Sequence, residues 1–181
     1  MRRPYVRFLA PIATSLALVL AACGGVTTAA DGTCPRIGVL QDAANYPLKD
    51  SAGNIRALAR LSVSRATACT YNKSNTAETG FSTMRTVLNV RAEAARAETA
   101  SMRNVEVPVI VATVSADGLL TGRHRLTMDV PISATGTGNA EEQVEVVISY
   151  KGSGEAEQHR IVVAFDLGRD EVLLNRSRVG R

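Results

Sequence analysis

Past residue 33 the chain alternates between apolar and polar positions. Ile55, Ala57, Ala59, Leu61 and Val63 fall on one side, while Arg56, Arg60, Ser62 and Ser64 fall on the other. That two-residue period belongs to a half-buried strand, and Ala66 to Tyr71 is expected to continue it. The period returns from Met84 to Ala94, with Thr86, Leu88, Val90, Ala92 and Ala94 on one face. Ile37 to Leu40 is a short apolar run, and Val105 to Val114 is rich in β-branched residues suited to a strand. Pro108 lacks a backbone donor, which points to an edge strand or a bulge. Asp117-Gly118 predicts a tight hairpin, whose returning strand sets Leu120, His124, Leu126, Met128, Val130 and Ile132 on one face. A second hairpin is expected to join 144–150 to 160–165 through Gly152-Ser153-Gly154. Together these predict an all-β fold, a single β-sandwich of immunoglobulin/fibronectin-like type with about seven strands.

Two segments break the pattern. Residues 91–103 are full of good helix formers, but the alternation predicts strand to about Ala94 and a loop over 95–103. Asp166 to Asn175 predicts a short C-terminal helix capped from Asp166, followed by a basic tail, 176–181.

The first 22 residues are of another kind. Arg2, Arg3 and Arg7 precede an apolar run, Phe8 to Ala22, that closes with Leu20-Ala21-Ala22-Cys23. A charged start, a short apolar stretch and small residues at its end describe a secretory signal peptide. The run contains Pro11 and falls short of the ~20 residues a membrane span needs. Its ending is similar to the lipobox of bacterial lipoproteins. The similarity implies diacylation of the Cys23 thiol, cleavage before Cys23 and acylation of the new amine. Gly24 then stands second in the mature chain, which, by analogy with lipoprotein sorting in enteric bacteria, favours the outer membrane. Arg2-Arg3 invites twin-arginine export, but the surrounding pattern is loose and Sec export is favoured. Residues 24–33 are small and polar with no hydrophobic period, a tether spanning about 17 Å root-mean-square. The organisation is therefore signal peptide 1–22, lipidated tether 23–33, sandwich domain 34–175 and tail 176–181.

Composition narrows the function. Without the leader 159 of the 181 residues remain, enough for one domain with a proper core. The leader holds three of the 21 basic residues and none of the 17 acids, leaving 18 against 17. That neutrality gives no support to nucleic-acid binding, which calls for a basic patch. There is no tryptophan, and of Tyr46, Tyr71, Phe81, Tyr150 and Phe165 several fall at core-facing phases, so recognition by stacking is disfavoured. Cys34 and Cys69 remain as an even pair, expected to bridge in an oxidising compartment. Their spacing is unlike the Cys-x-x-Cys of a redox dithiol.

Reactive constellations are sparse. His124 and His159 each stand alone, without the neighbouring ligands a zinc site requires. Glu141, Glu142 and Glu145, and likewise Glu155 and Glu157, lie beside turns and are expected to be solvated. No Gly-x-Ser-x-Gly elbow occurs, and Gly136-Thr137-Gly138-Asn139 lacks the Gly-Lys-Ser/Thr end of a phosphate loop. No catalytic, cofactor-binding or metal-binding residue is predicted. The residues expected to matter are Cys23 for lipidation and Cys34 with Cys69 for a disulfide.

Cys34-Pro35, Cys69-Thr70-Tyr71 and Leu173-Leu174-Asn175-Arg176, taken with the lipobox and tether, resemble small alphaproteobacterial outer-membrane lipoproteins of unknown function. The resemblance implies a lipid-anchored, disulfide-bonded, β-rich domain and carries over no catalytic residues. The expected role is a non-enzymatic structural or interaction module on the periplasmic face of the outer membrane. Its partners would be membrane lipid, through acylated Cys23, and an envelope protein. The alternative is a ligand-binding or transport-accessory domain with a pocket lined by loops 41–54, 72–83 and 133–143.

Overall fold

A computed structural model describes residues 33–72, 81–152 and 154–179. Cys23 and the tether up to Gly32 lie outside the described residues. The fold is an all-β sandwich closed by a short C-terminal helix. Nine strands occur among the described residues: β1 Arg36–Val39, β2 Asn45–Lys49, β3 Ile55–Arg65, β4 Thr70–Asn72, β5 Ser82–Arg96, β6 Asn104–Val114, β7 Leu120–Pro131, β8 Thr137–Tyr150 and β9 Arg160–Phe165. The number exceeds the expected seven by two: β2 is not among the expected strands, and β4 is a separate strand paired with β5 rather than a continuation of β3 through Ala66 to Tyr71. A single 3₁₀ turn (Gln41–Ala43) follows β1, helix α1 (Glu155–Gln158) precedes β9, and helix α2 (Arg169–Val179) ends the chain.

One sheet has the order β1-β9-β6-β7, and the other runs β2-β3-β5 with β8 on the far side of β5. β4 pairs with the start of β5, on the edge that β3 occupies further along. All ladders are antiparallel except β1 with β9. The alternation read from the sequence holds inside the core. Met84, Leu88, Val90 and Ala92 of β5 face Val105, Val107, Val109, Ile161, Val163 and Phe165 of the opposite sheet, all buried. Burying each larger side chain contributes about 1.5–3 kcal/mol.

The alanine-rich stretch is strand because its small side chains fit the packing. Tyr46, Ala59, Ala94 and Gly138 occupy one cross-strand row, and the Tyr46 ring lies 5.5 Å from that of Phe165 across the interface. Small neighbours leave room for two rings, so tertiary packing overrides helix propensity. Gly138 is constrained further. A Cβ there would lie 1.7 Å from the Pro131 carbonyl oxygen, where the chain turns from β7 into β8.

The structure corrects four expectations. β8 and β9 form no hairpin: they lie in different sheets, and the connection carrying α1 crosses between them. Pro108 sits in β6, which is central rather than at an edge. Its carbonyl accepts from Asp166 N just past the end of β9, so its missing donor falls where that ladder has stopped. Leu120 leaves the face of His124 and Leu126, because a bulge at Thr113/Val114 pairs Leu120 with Val114 and shifts the phase. Finally, α2 begins at Arg169 and runs to Val179, taking in part of the stretch expected as tail. Glu171 rather than Asp166 caps its start, accepting from Gly168 N at 3.0 Å, while Asp166 pairs with Arg125 at 2.9 Å.

Candidate functional site

Cys34 and Cys69 form the expected disulfide, with Cα atoms 5.6 Å apart. It joins the residues leading into β1, in one sheet, to those leading into β4, in the other. Around it the chain is held closely. Thr33 donates through its N and Oγ1 to Glu157 at 3.2 and 2.7 Å, Tyr71 OH donates to Thr33 O at 2.9 Å, and Arg65 donates to Pro35 O. Burial, aided by the nearby Glu157 charge, pushes the Tyr71 hydroxyl above its usual pKa. The end of the sandwich that bears Thr33, termed the leader end for the signal peptide expected before it, is therefore fastened covalently and by polar contacts.

The candidate acids and histidines have structural partners or stand apart. Glu155 accepts from Lys151 N and Gly152 N at 2.8 and 2.9 Å, and these bonds, with Gly152 foremost, lower its pKa. His159 is buried, with Nδ1 3.0 Å from Glu155 O. His124 is exposed, opposite Val111 on β7. Glu145 pairs with Arg85 at 3.0 Å on the outer face of β8, and Glu141 and Glu142 are exposed beside it. Among the described residues no group of three or more His, Cys, Asp or Glu is placed to hold a metal ion.

Three turns have one backbone design. Asp50–Asn54, Ser115–Leu119 and Ser133–Thr137 each close with the first residue's N donating to the fifth residue's O at 2.9 Å. In each, the glycine at the fourth position, Gly53, Gly118 or Gly136, has positive φ, as a type I turn with a G1 bulge demands. Asp50 and Asp117 are held below the usual carboxylate pKa, chiefly by bonds from Asn54 N and the Ser115 hydroxyl respectively. The first and third turns lie at the far end of the sandwich. Ser115–Leu119 lies at the leader end, and it presents Leu119 and Leu120, 64% and 61% exposed. The bulge that sets Leu120 outward leaves no mark in the alternation, which therefore does not reveal the paired leucines.

At the far end an open groove of about 930 Å³ crosses the outer face of β3, β5 and β8. Leu58 and Ala95 form its apolar floor, Arg60, Arg91 and Glu93 its charged side, and Ile132 and Asn139 its rim. Arg91 pairs with Glu93 at 3.1 Å. Of the loops expected to line a pocket, 41–54 and 133–143 both contribute, through Asn45, Ser133 and Thr137–Asn139. The described residues of 72–83 (Asn72 and 81–83) lie at the opposite, leader end, where Asn72 pairs with Thr83. Arg60, Arg91 and Glu93 carried no motif and came together only through strand register.

No helix among the described residues is long and apolar enough to cross a membrane. Comparison with protein-family models, curated proteins and solved structures finds no match to this chain.

Proposed function

We propose that this chain is a bacterial envelope lipoprotein: a non-enzymatic module held by acylated Cys23 at the periplasmic face of the outer membrane, where it contacts other envelope components. The observation that carries this reading is the Leu20-Ala21-Ala22-Cys23 ending, placed ten residues before Thr33, where the disulfide-fastened domain begins. Three acyl chains exceed the two signals that stable anchoring needs. The bridge suits an oxidising compartment, and the shifted acids serve turns rather than a reaction centre. Replacing Cys23 with Ala is expected to move the protein from the membrane pellet to the soluble periplasmic fraction. A C23A protein that still pellets, or an N-terminal peptide of wild-type mass showing an unmodified thiol, would overturn it.

A second reading, a ligand-binding or transport-accessory domain, draws support from the groove. Its two arginines over an apolar floor suit an anionic amphiphile. A thermal-shift screen of such compounds against the wild type and R60A/R91A tests it: stabilisation confined to the wild type is expected, and equal responses would dismiss it.

A further inference from the structure

From the geometry of the leader end we infer that the Ser115–Leu120 tip is a bilayer contact, inserting Leu119 and Leu120 between lipid headgroups. The three turns of shared design form an internal control. At the fifth position the far-end turns carry Asn54 and Thr137, both polar, whereas the leader-end turn carries Leu119 followed by Leu120. Backbone closure therefore does not require leucine. The tip is also preorganised: Ser115 Oγ bonds Asp117 and lies 3.1 Å from Leu119 O and 3.2 Å from Leu119 N, so the leucines are displayed rather than folded back.

The occupant follows from where the chain goes. Arg36, Arg160, Val114 and Leu120 lie in one row across the sheet, about 15 Å from first to last at the usual strand spacing. Thr33 is three residues before Arg36, and Cys23 ten residues before Thr33. A tether of that length reaches about 17 Å, so a lipid on Cys23 keeps this end against the membrane surface. Arg36 and Arg160 in the same row, and Lys151 4.8 Å above the half-exposed Phe81 ring, put cations at the same end of the sandwich as the apolar tip, the combination that anionic phospholipid favours. Among the described residues the acids at this end, Asp117, Glu155 and Glu157, accept hydrogen bonds from Ser115, from Lys151 and Gly152 backbone and from Thr33.

Since this inference rests on the anchored reading above, its test separates the two. The chain has no tryptophan, so L119W and T137W place a unique fluorophore at the same position of the same turn at opposite ends. Each full-length lipidated protein is reconstituted in phosphatidylethanolamine–phosphatidylglycerol vesicles with brominated acyl chains. L119W emission is expected to shift to the blue and to be quenched several-fold more than that of T137W. Equal quenching of the two, repeated with L120W, would overturn the contact and leave the tip to a protein partner. A mass spectrum of the N-terminal peptide reports on the anchor alone. If Cys23 proves unmodified, the anchored reading falls, and the same quenching ratio, measured with excess vesicles, still decides the tip.

Discussion

The two ends of the sandwich are closed by different physics. At the leader end a covalent bond, Cys34–Cys69, ties the two sheets, and Thr33, Tyr71 and Glu157 hold the chain beside it. In the far half, α2 packs over the 3₁₀ turn and the β2 edge. Buried Asn175 donates there to Asp42 O at 3.2 Å and Asn45 O at 2.8 Å. The edge strand is thus blunted by a helix rather than by charge. The leader end thus has a covalent clamp between the sheets, while the far end relies on packing and hydrogen bonds. Surface chemistry differs as well: paired leucines at one end, an arginine-lined groove at the other.

Breaking the clamp is expected to have the largest effect. C34A/C69A should lower stability by about 3–4 kcal/mol on the chain-entropy account, seen as a lower urea midpoint. Hydrogen exchange should rise first around residues 33–36 and 69–72. Faster exchange at α2 instead would reverse the assignment of the two ends. Asn175→Ala should cost about 1–3 kcal/mol, because two part-buried carbonyls lose the donor that a buried side chain gives them, and should free α2 for proteolysis while the disulfide end stays protected.

Acid should act on both ends, and more on the leader end, which among the described residues has the lowered carboxyls Asp117 and Glu155 against Asp50 at the far end. All three carboxyls lie below their ordinary values of 3.8 and 4.5 when folded. The unfolded chain therefore binds protons first, and the stability these groups contribute is present above that range and lost as pH falls through and below it. A titration followed by thermal unfolding should show a flat midpoint above about pH 5 and a decline beneath. Tyr71, and Tyr46, whose pKa is raised by burial and then by Glu171, work in the opposite sense, with stability lost as pH rises past 10.0. Arg176→Ala should matter least. Its 2.6 Å pair with Asp42 involves a side chain 67% exposed, and such pairs contribute about 0–1 kcal/mol.

Much of this was legible in the chain. The period of two located β3, β5 and β7, β-branched richness located β6, and the even pair Cys34 and Cys69 foretold the bridge. Asp117-Gly118 marked a hairpin, although its loop is one residue longer than the tight form. The groove was legible only in its loops, because Arg60, Arg91 and Glu93 belong to no motif and meet across two register positions. The leucine tip was hidden for a related reason: one bulged residue reverses every phase beyond it.

Local order along the chain decided which segments are strands, which face of each is apolar and where the turns fall, since these depend on neighbours a few residues away. Partnership between strands was decided only in three dimensions. β8 and β9 are equally apolar on one face, and nothing in either encodes that β8 joins β5 while β9 joins β6 and β1. Pro108 could take a central place only because β9 stops beside it. Hydrogen-bonding edges are alike from strand to strand, so the choice among them falls to core packing and connection lengths, which belong to the whole fold.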